Sequence, residues 1–72
     1  MEEIDEIKSK LQLYGIPIIK AEYIKPEGYV TGTYKLITAD SQMIGIDQLK
    51  YWDTKGSIIG DIAEEYFKLE RG

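Results

Sequence analysis

The chain has 72 residues, nine basic against thirteen acidic, for a formal net charge of −4. It contains no cysteine and no histidine, which excludes disulfides and leaves a structural zinc site without credible ligands. Hydrophobic residues make up 43%, too much for a disordered chain. A domain this short nevertheless buries only about 60% of its unfolded surface, so a second chain is a natural support.

Residues 2–14 carry Ile4, Ile7, Leu11 and Tyr14 at 3-4-3 spacing, one narrow stripe on a helix. Acids crowd its first turns, and Lys8 and Lys10 follow, in the order the helix dipole favours. Gly15 is placed to cap the C-terminus and Pro17 to prevent continuation. Residues 18–25, "IIKAEYIK", read as a strand on their β-branched and aromatic content. "KPEG" reads as a turn, with Pro26 at the first central position and Gly28 at the last.

Residues 29–38, "YVTGTYKLIT", are the clearest strand; "ADSQ" turns, and "MIGI", 43–46, returns. Two tight connections in succession make an antiparallel meander. Residues 47–52 leave two alternatives: a helical turn capped by Asp47, or a fourth short strand. "DTKG" turns again, and Ser57 precedes a last helix with Ile58, Ile59, Ile62, Ala63, Tyr66 and Phe67 on one wide face. Asp61, Glu64 and Glu65 precede Lys68 and Arg71 there, again in dipole order. Residues 1–72 thus form a single small α+β domain: N-terminal helix, a three-stranded or four-stranded antiparallel meander, and a C-terminal helix on the sheet. The N-terminal seam of Ile4, Ile7, Leu11 and Tyr14 either fills the remaining gap or meets a second chain.

Catalysis has little to work with. The commonest general base and the strongest nucleophile are absent, so no enzyme is expected and no cofactor or metal is implied. Asp40, Asp47, Asp53 and Asp61 recur at turns and helix starts, where capping explains them better than a small carboxylate-dependent hydrolase. Lys55, Gly56 and Ser57 precede a helix and loosely resemble an anion site, without the full glycine-rich loop.

Between residues 17 and 56 five lysines balance five acids, and each end adds four acids to two bases. Such a surface argues against a nucleic-acid ligand, although stacking of single strands on the sheet tyrosines remains an alternative. A second is that the acidic ends mimic nucleic acid.

Six tyrosines, one tryptophan and one phenylalanine are many aromatics for this length, and tyrosine favours interfaces. Alternation along the central strand sets Tyr29, Thr31, Thr33, Lys35 and Ile37 on one face and Val30, Gly32, Tyr34, Leu36 and Thr38 on the more apolar one. Gly32 then gives room for a helix or marks a bulge. Trp52 is expected as the plug of the core and Tyr51 as exposed.

The function expected is a non-enzymatic protein–protein interaction module. It would act through Tyr29, Thr31, Thr33, Lys35 and Tyr51 and the helical seam, as a homodimer or on a protein partner. A virus- or plasmid-encoded accessory or inhibitory factor is a guess at its setting. The acidic N-terminal segment "MEEIDEIKSK" is unlike a secretory signal, and no apolar run nears the ~20 residues of a membrane span, so a soluble, cytoplasmic chain away from membranes is expected.

Overall fold

Acids at its start, an apolar stripe and a glycine at its end define the first helix, α1 (Glu3–Leu13). The computed structural model describes residues 2–71, with side chains for residues 2–68; the side chain of Arg71, expected at the end of the last helix, lies outside them. Three strands follow, β1 (Ile18–Ile24), β2 (Thr33–Thr38) and β3 (Met43–Asp47), then helices α2 (Gln48–Asp53) and α3 (Ile58–Arg71). The strands form an antiparallel sheet in the order β1–β2–β3. The α+β architecture is the one the sequence predicts, with three strands rather than four.

The chain stops α1 as expected. Gly15, at φ +94°, donates to the Gln12 carbonyl at 2.9 Å, and Ile16 donates to the Leu11 carbonyl at 3.2 Å. These are the two bonds of a Schellman motif, and its usual apolar contact is supplied by Leu11 and Ile16, both in the core.

The turn after β1 falls one residue later than expected. Tyr29 donates to the Pro26 carbonyl at 3.2 Å, which puts Gly28, at φ +89°, in the position of a type II turn that demands positive φ. The predicted strand over 29–38 begins at Thr33 instead. Residues 25–32 loop outward, so Val30 is 89% exposed rather than part of the buried face. The β2–β3 hairpin closes through Thr38 N–H to the Gln42 carbonyl at 2.9 Å, with Ser41 left-handed at φ +66°.

The alternatives for residues 47–52 resolve in favour of helix. The Asp47 carboxylate accepts from Lys50 N–H at 3.3 Å and caps α2. A second Schellman arrangement ends it: Lys55 and Gly56 donate to the Trp52 and Tyr51 carbonyls, each at 3.0 Å. Lys55 holds the left-handed position there, at φ +53°.

One face of the sheet is buried and the other is not. Tyr34, Leu36 and Thr38 of β2 and Ile44 and Ile46 of β3 point inward, with Ile18 of β1. The helices lie on that side. α1 sits against β1 and α3, and α2 against β3. Ile7 and Leu11 of α1, Tyr51 of α2, and Ile59, Ala63 and Tyr66 of α3 join the strand residues in one core. Burying each large aliphatic side chain there contributes about 1.5–3 kcal/mol.

This packing resolves one alternative, since the seam fills the gap in the chain's own core, and corrects one expectation. The seam of Ile4, Ile7, Leu11 and Tyr14 faces the chain's own core: Ile7 and Leu11 are fully buried and Ile4 packs against them, while Tyr14 stays half-exposed. Tyr51 and Trp52 exchange roles, Tyr51 being 5% exposed and Trp52 47%. Adjacent residues on a helix point about 100° apart, and the phase set by the Asp47 cap turns Tyr51, not Trp52, toward the core.

Candidate interaction surface

The uncovered face of the sheet is built by strand alternation. Its rows are Lys20–Ile37–Met43, Glu22–Lys35–Gly45 and Ile24–Thr33–Asp47, each read across the register of the three strands. Glu22 and Lys35 stand directly opposite, a favourable cross-strand pair. Around them the apolar side chains of Met43 (65% exposed) and Ile24 (46%) remain in solvent, and Ile19, displaced by the bulge between Ile18 and Lys20, adds a third. Gly45 leaves open space at the centre of the edge strand, with nothing within 4 Å of where a Cβ would stand.

Of the predicted face, the structure brings Thr33 and Lys35 together on this surface. Tyr29 is exposed but belongs to the 25–32 loop, as does the half-buried Thr31. Tyr51 lies on the opposite side of the sheet, in the core, and is not part of any exposed face. The residues that reasoning from sequence missed are Ile19, Ile24 and Met43. A strict alternation across β1 would have placed Ile24 with Lys20 and Glu22; the bulge hid the parity of Ile19.

The helical side carries polar networks that hold the elements together. Glu3 is the hub of the first: its carboxylate accepts from the Tyr34 hydroxyl, from Trp52 Nε1 at 2.7 Å and from Gln48 Nε2 at 3.3 Å. Gln48 Oε1 in turn accepts from the Tyr23 hydroxyl at 2.6 Å and from Gly32 N–H at 3.1 Å. The Tyr23 and Tyr34 rings lie 5.0 Å apart between centroids. Burial works to raise the Glu3 pKa, but the bonds from Tyr34, Trp52 and Gln48, with Lys10 nearby, outweigh it and hold the carboxyl below its ordinary range. Burial first, then the bond to Glu3, push the Tyr34 phenol well above its ordinary value. The network ties the start of α1 to β2 and α2.

A second network centres on Asp40. Its carboxylate accepts from the Thr38 hydroxyl, from Tyr66 Oη at 3.2 Å and from Gln42 Nε2 at 3.3 Å. Thr38, fully buried, also accepts from Gln42 N–H at 3.0 Å. Here the β2–β3 hairpin is fastened to α3. Asp40 and Asp47 thus hold a hairpin and cap a helix, and among the described residues no group of three or more acids converges as a metal site would require.

Lys55, Gly56 and Ser57 line a cleft of about 340 Å³ with Lys10, Tyr14 and Ile59. It is not a phosphate cradle. The amides of Ser57, Ile59 and Gly60 donate to the Thr54, Gly56 and Ser57 carbonyls. Lys10 is held by Glu6 at 3.1 Å and by the Tyr51 hydroxyl at 2.9 Å, bonds that raise its pKa, Tyr51 first. Among the described residues no helix is long and apolar enough to cross a membrane.

What this geometry offers chemically is a surface: a mixed, charge-balanced sheet face with exposed aliphatic side chains, backed by a rigid helical layer. No protein-family model, curated protein or solved structure matches the chain.

Proposed function

We propose that the chain is a non-enzymatic protein–protein interaction module, a small accessory or inhibitory factor that meets a protein partner or a second copy through the open face of its sheet. The observation that carries this reading is the one-sided placement of the helices, which leaves Ile19, Ile24 and Met43 in water beside Thr33 and Lys35. Exposed apolar side chains that share one face, here set around the central Glu22–Lys35 pair, mark association surfaces more often than single scattered ones do. Charge supports a protein over a nucleic acid, because Lys20 and Lys35 are offset on the same face by Glu22 and Asp47.

The test is a paired substitution, Ile24→Lys with Met43→Lys, followed by far-UV circular dichroism, light scattering and affinity capture. Both positions are exposed, so the melt should hold. The variant should lose the dimer, or the dominant captured protein, that the parent chain shows. If the parent is a monomer without a captured partner, or if the variant retains both, the reading fails.

A further inference from the structure

We propose that the free edge of β3, with the groove between β3 and α3, binds an extended basic peptide as a fourth antiparallel strand, one carrying Lys or Arg at alternate positions. It uses the backbone edge of β3 and the helical side of the sheet, and meets the open face only at Met43 and Gly45, which border both.

The edge comes first. Thr38 bonds Gln42, and Gln48 N–H donates to the Gly32 carbonyl at 3.0 Å. In antiparallel pairing, bonded pairs recur every second residue, so Leu36–Ile44 and Tyr34–Ile46 are the bonded pairs between them. The N–H groups of Met43, Gly45 and Asp47 and the carbonyls of Met43 and Gly45 therefore point away from β2. Edge strands are ordinarily blunted by lysine, proline or a bulge. β1 has its bulge and lies under α1. The "MIGID" of β3 has none of these.

The groove comes second. Beside this edge is a cavity of about 310 Å³, with Ile44, Ile62 and Tyr66 on its floor and Asp61 and Glu65 on its rim. Both acids are exposed, and among the described residues neither forms an ion pair. They are one helical turn apart, about 6 Å along α3. Alternate residues of an extended strand are about 6.8 Å apart. Two basic side chains projecting from one face of an added strand would each lay their methylenes on the floor and reach one acid. Strand addition with pockets for alternate side chains is an established mode of peptide capture.

Charge decides against the competing occupant. A second copy adding its own β3 would bring its Asp61 and Glu65 beside the first pair, and its "MIGID" strand brings another acid and no base. Like charges at such a seam oppose it.

The pairing makes a positional demand. In the added strand the residues that bond Met43 and Gly45 are those whose side chains face the open side of the sheet. The basic residues, facing the groove, point their own amides away. The probe is the peptide acetyl-Thr-Lys-Val-Lys-Thr-amide, titrated into ¹⁵N-labelled protein. The expected result is a shift and slowed exchange at the Met43, Gly45 and Asp47 amides. N-methylation of the peptide valine should abolish binding, and N-methylation of its lysines should leave it. Exchanging both lysines for glutamates should abolish it too, and the double variant Asp61→Lys, Glu65→Lys should weaken it by about tenfold or more.

Three results would overturn the proposal. One is no shift at millimolar peptide. Another is equal binding by the two N-methylated peptides, which would mean charge attraction alone. The third is protection of the β3 edge that rises with protein concentration in the absence of peptide, which would assign the edge to a second copy.

Discussion

Substituting Gly32 by alanine should unfold much of this protein, and substituting Gly45 should strengthen it. A Cβ on Gly32 would stand 2.2 Å from the Ile24 carbonyl oxygen and 2.8 Å from Lys25 Cα. Carbon and oxygen tolerate contact at about 3.3 Å, so the two segments must part by about 1 Å. Neither has freedom to do so. Ile24 is paired with Thr33, and Gly32 exchanges bonds with Gln48, through the side chain at 3.1 Å and the backbone at 3.0 Å.

Overpacking of this kind costs about 1–3 kcal/mol, and losing the two bonds adds about 1 kcal/mol each, a total of about 3–5 kcal/mol. Stabilities of about 0.05–0.15 kcal/mol per residue give a chain of this length about 4–11 kcal/mol. Gly32→Ala should therefore lower Tm by at least about 12 °C, taking about 4 °C per kcal/mol as the lower figure for a small domain. A Cβ on Gly45 meets nothing within 4 Å, and alanine within a strand gains about 0.5–1 kcal/mol over glycine. Thermal melts of parent and both variants, followed by circular dichroism and Trp52 fluorescence, decide the matter. If Gly32→Ala melts within a few degrees of the parent, or Gly45→Ala falls as far as Gly32→Ala, the close approach of β1 to residue 32 is refuted.

Lys55→Gly relieves a left-handed position at the end of α2 and should stabilise by about 0.5–1 kcal/mol in urea unfolding; a loss would count against that backbone geometry. Thr38→Val keeps the shape of a fully buried side chain but leaves Gln42 N–H and the Asp40 carboxylate each short of a partner. It should cost about 1–3 kcal/mol, read as a lower urea midpoint at unchanged slope. The Glu3 pKa is lowered by folding, so its contribution is present above the ordinary carboxylate range and is lost as pH falls through it; Glu3→Gln should flatten that acid limb of the stability curve. The Tyr34 pKa is raised, so its contribution is complete below about pH 10 and is lost as pH rises further. Tyr34→Phe should remove that alkaline loss, and an unchanged alkaline limb would refute the burial of the phenol.

Local signals foretold the elements well and their phases less well. The end of α1 was legible because Gly15 and Pro17 act on their immediate neighbours. The parity of β2 was legible too, since Tyr34, Leu36 and Thr38 are all buried. Its start was not. Residues 29–32 have strand-like composition, but β1 ends at Ile24, and nothing is left to pair with them. The choice between Tyr51 and Trp52 depended on the phase of a six-residue helix, for which no periodicity can be read. Glu3 was indistinguishable from its acidic neighbours, because its partners Tyr34, Gln48 and Trp52 lie 31, 45 and 49 residues away. The open face was half legible: Thr33 and Lys35 follow from alternation in β2 and Ile24 from alternation in β1, whereas Ile19 required the bulge between Ile18 and Lys20.

The placement of the polar networks bears on how function can be tested. The side-chain bonds of Glu3, Gln48, Asp40 and Tyr66 run among the helices, the inward side of the sheet, the hairpin turn and Gly32, and none of those bonds involves a side chain of the open face. The outer residues Lys20, Ile24, Lys35 and Met43 are therefore mechanically separate from what fastens the fold. Substitutions at exposed positions outside such networks ordinarily change stability by no more than about 0.5 kcal/mol. A chain of 72 residues has little stability to lose, and in most proteins of this size a loss of binding after mutation is confounded with unfolding. Here the two can be resolved by side of the sheet. Changes on the open face that abolish association while the melt stays in place identify a surface. Changes in the Glu3 or Asp40 networks that abolish both identify only the fold.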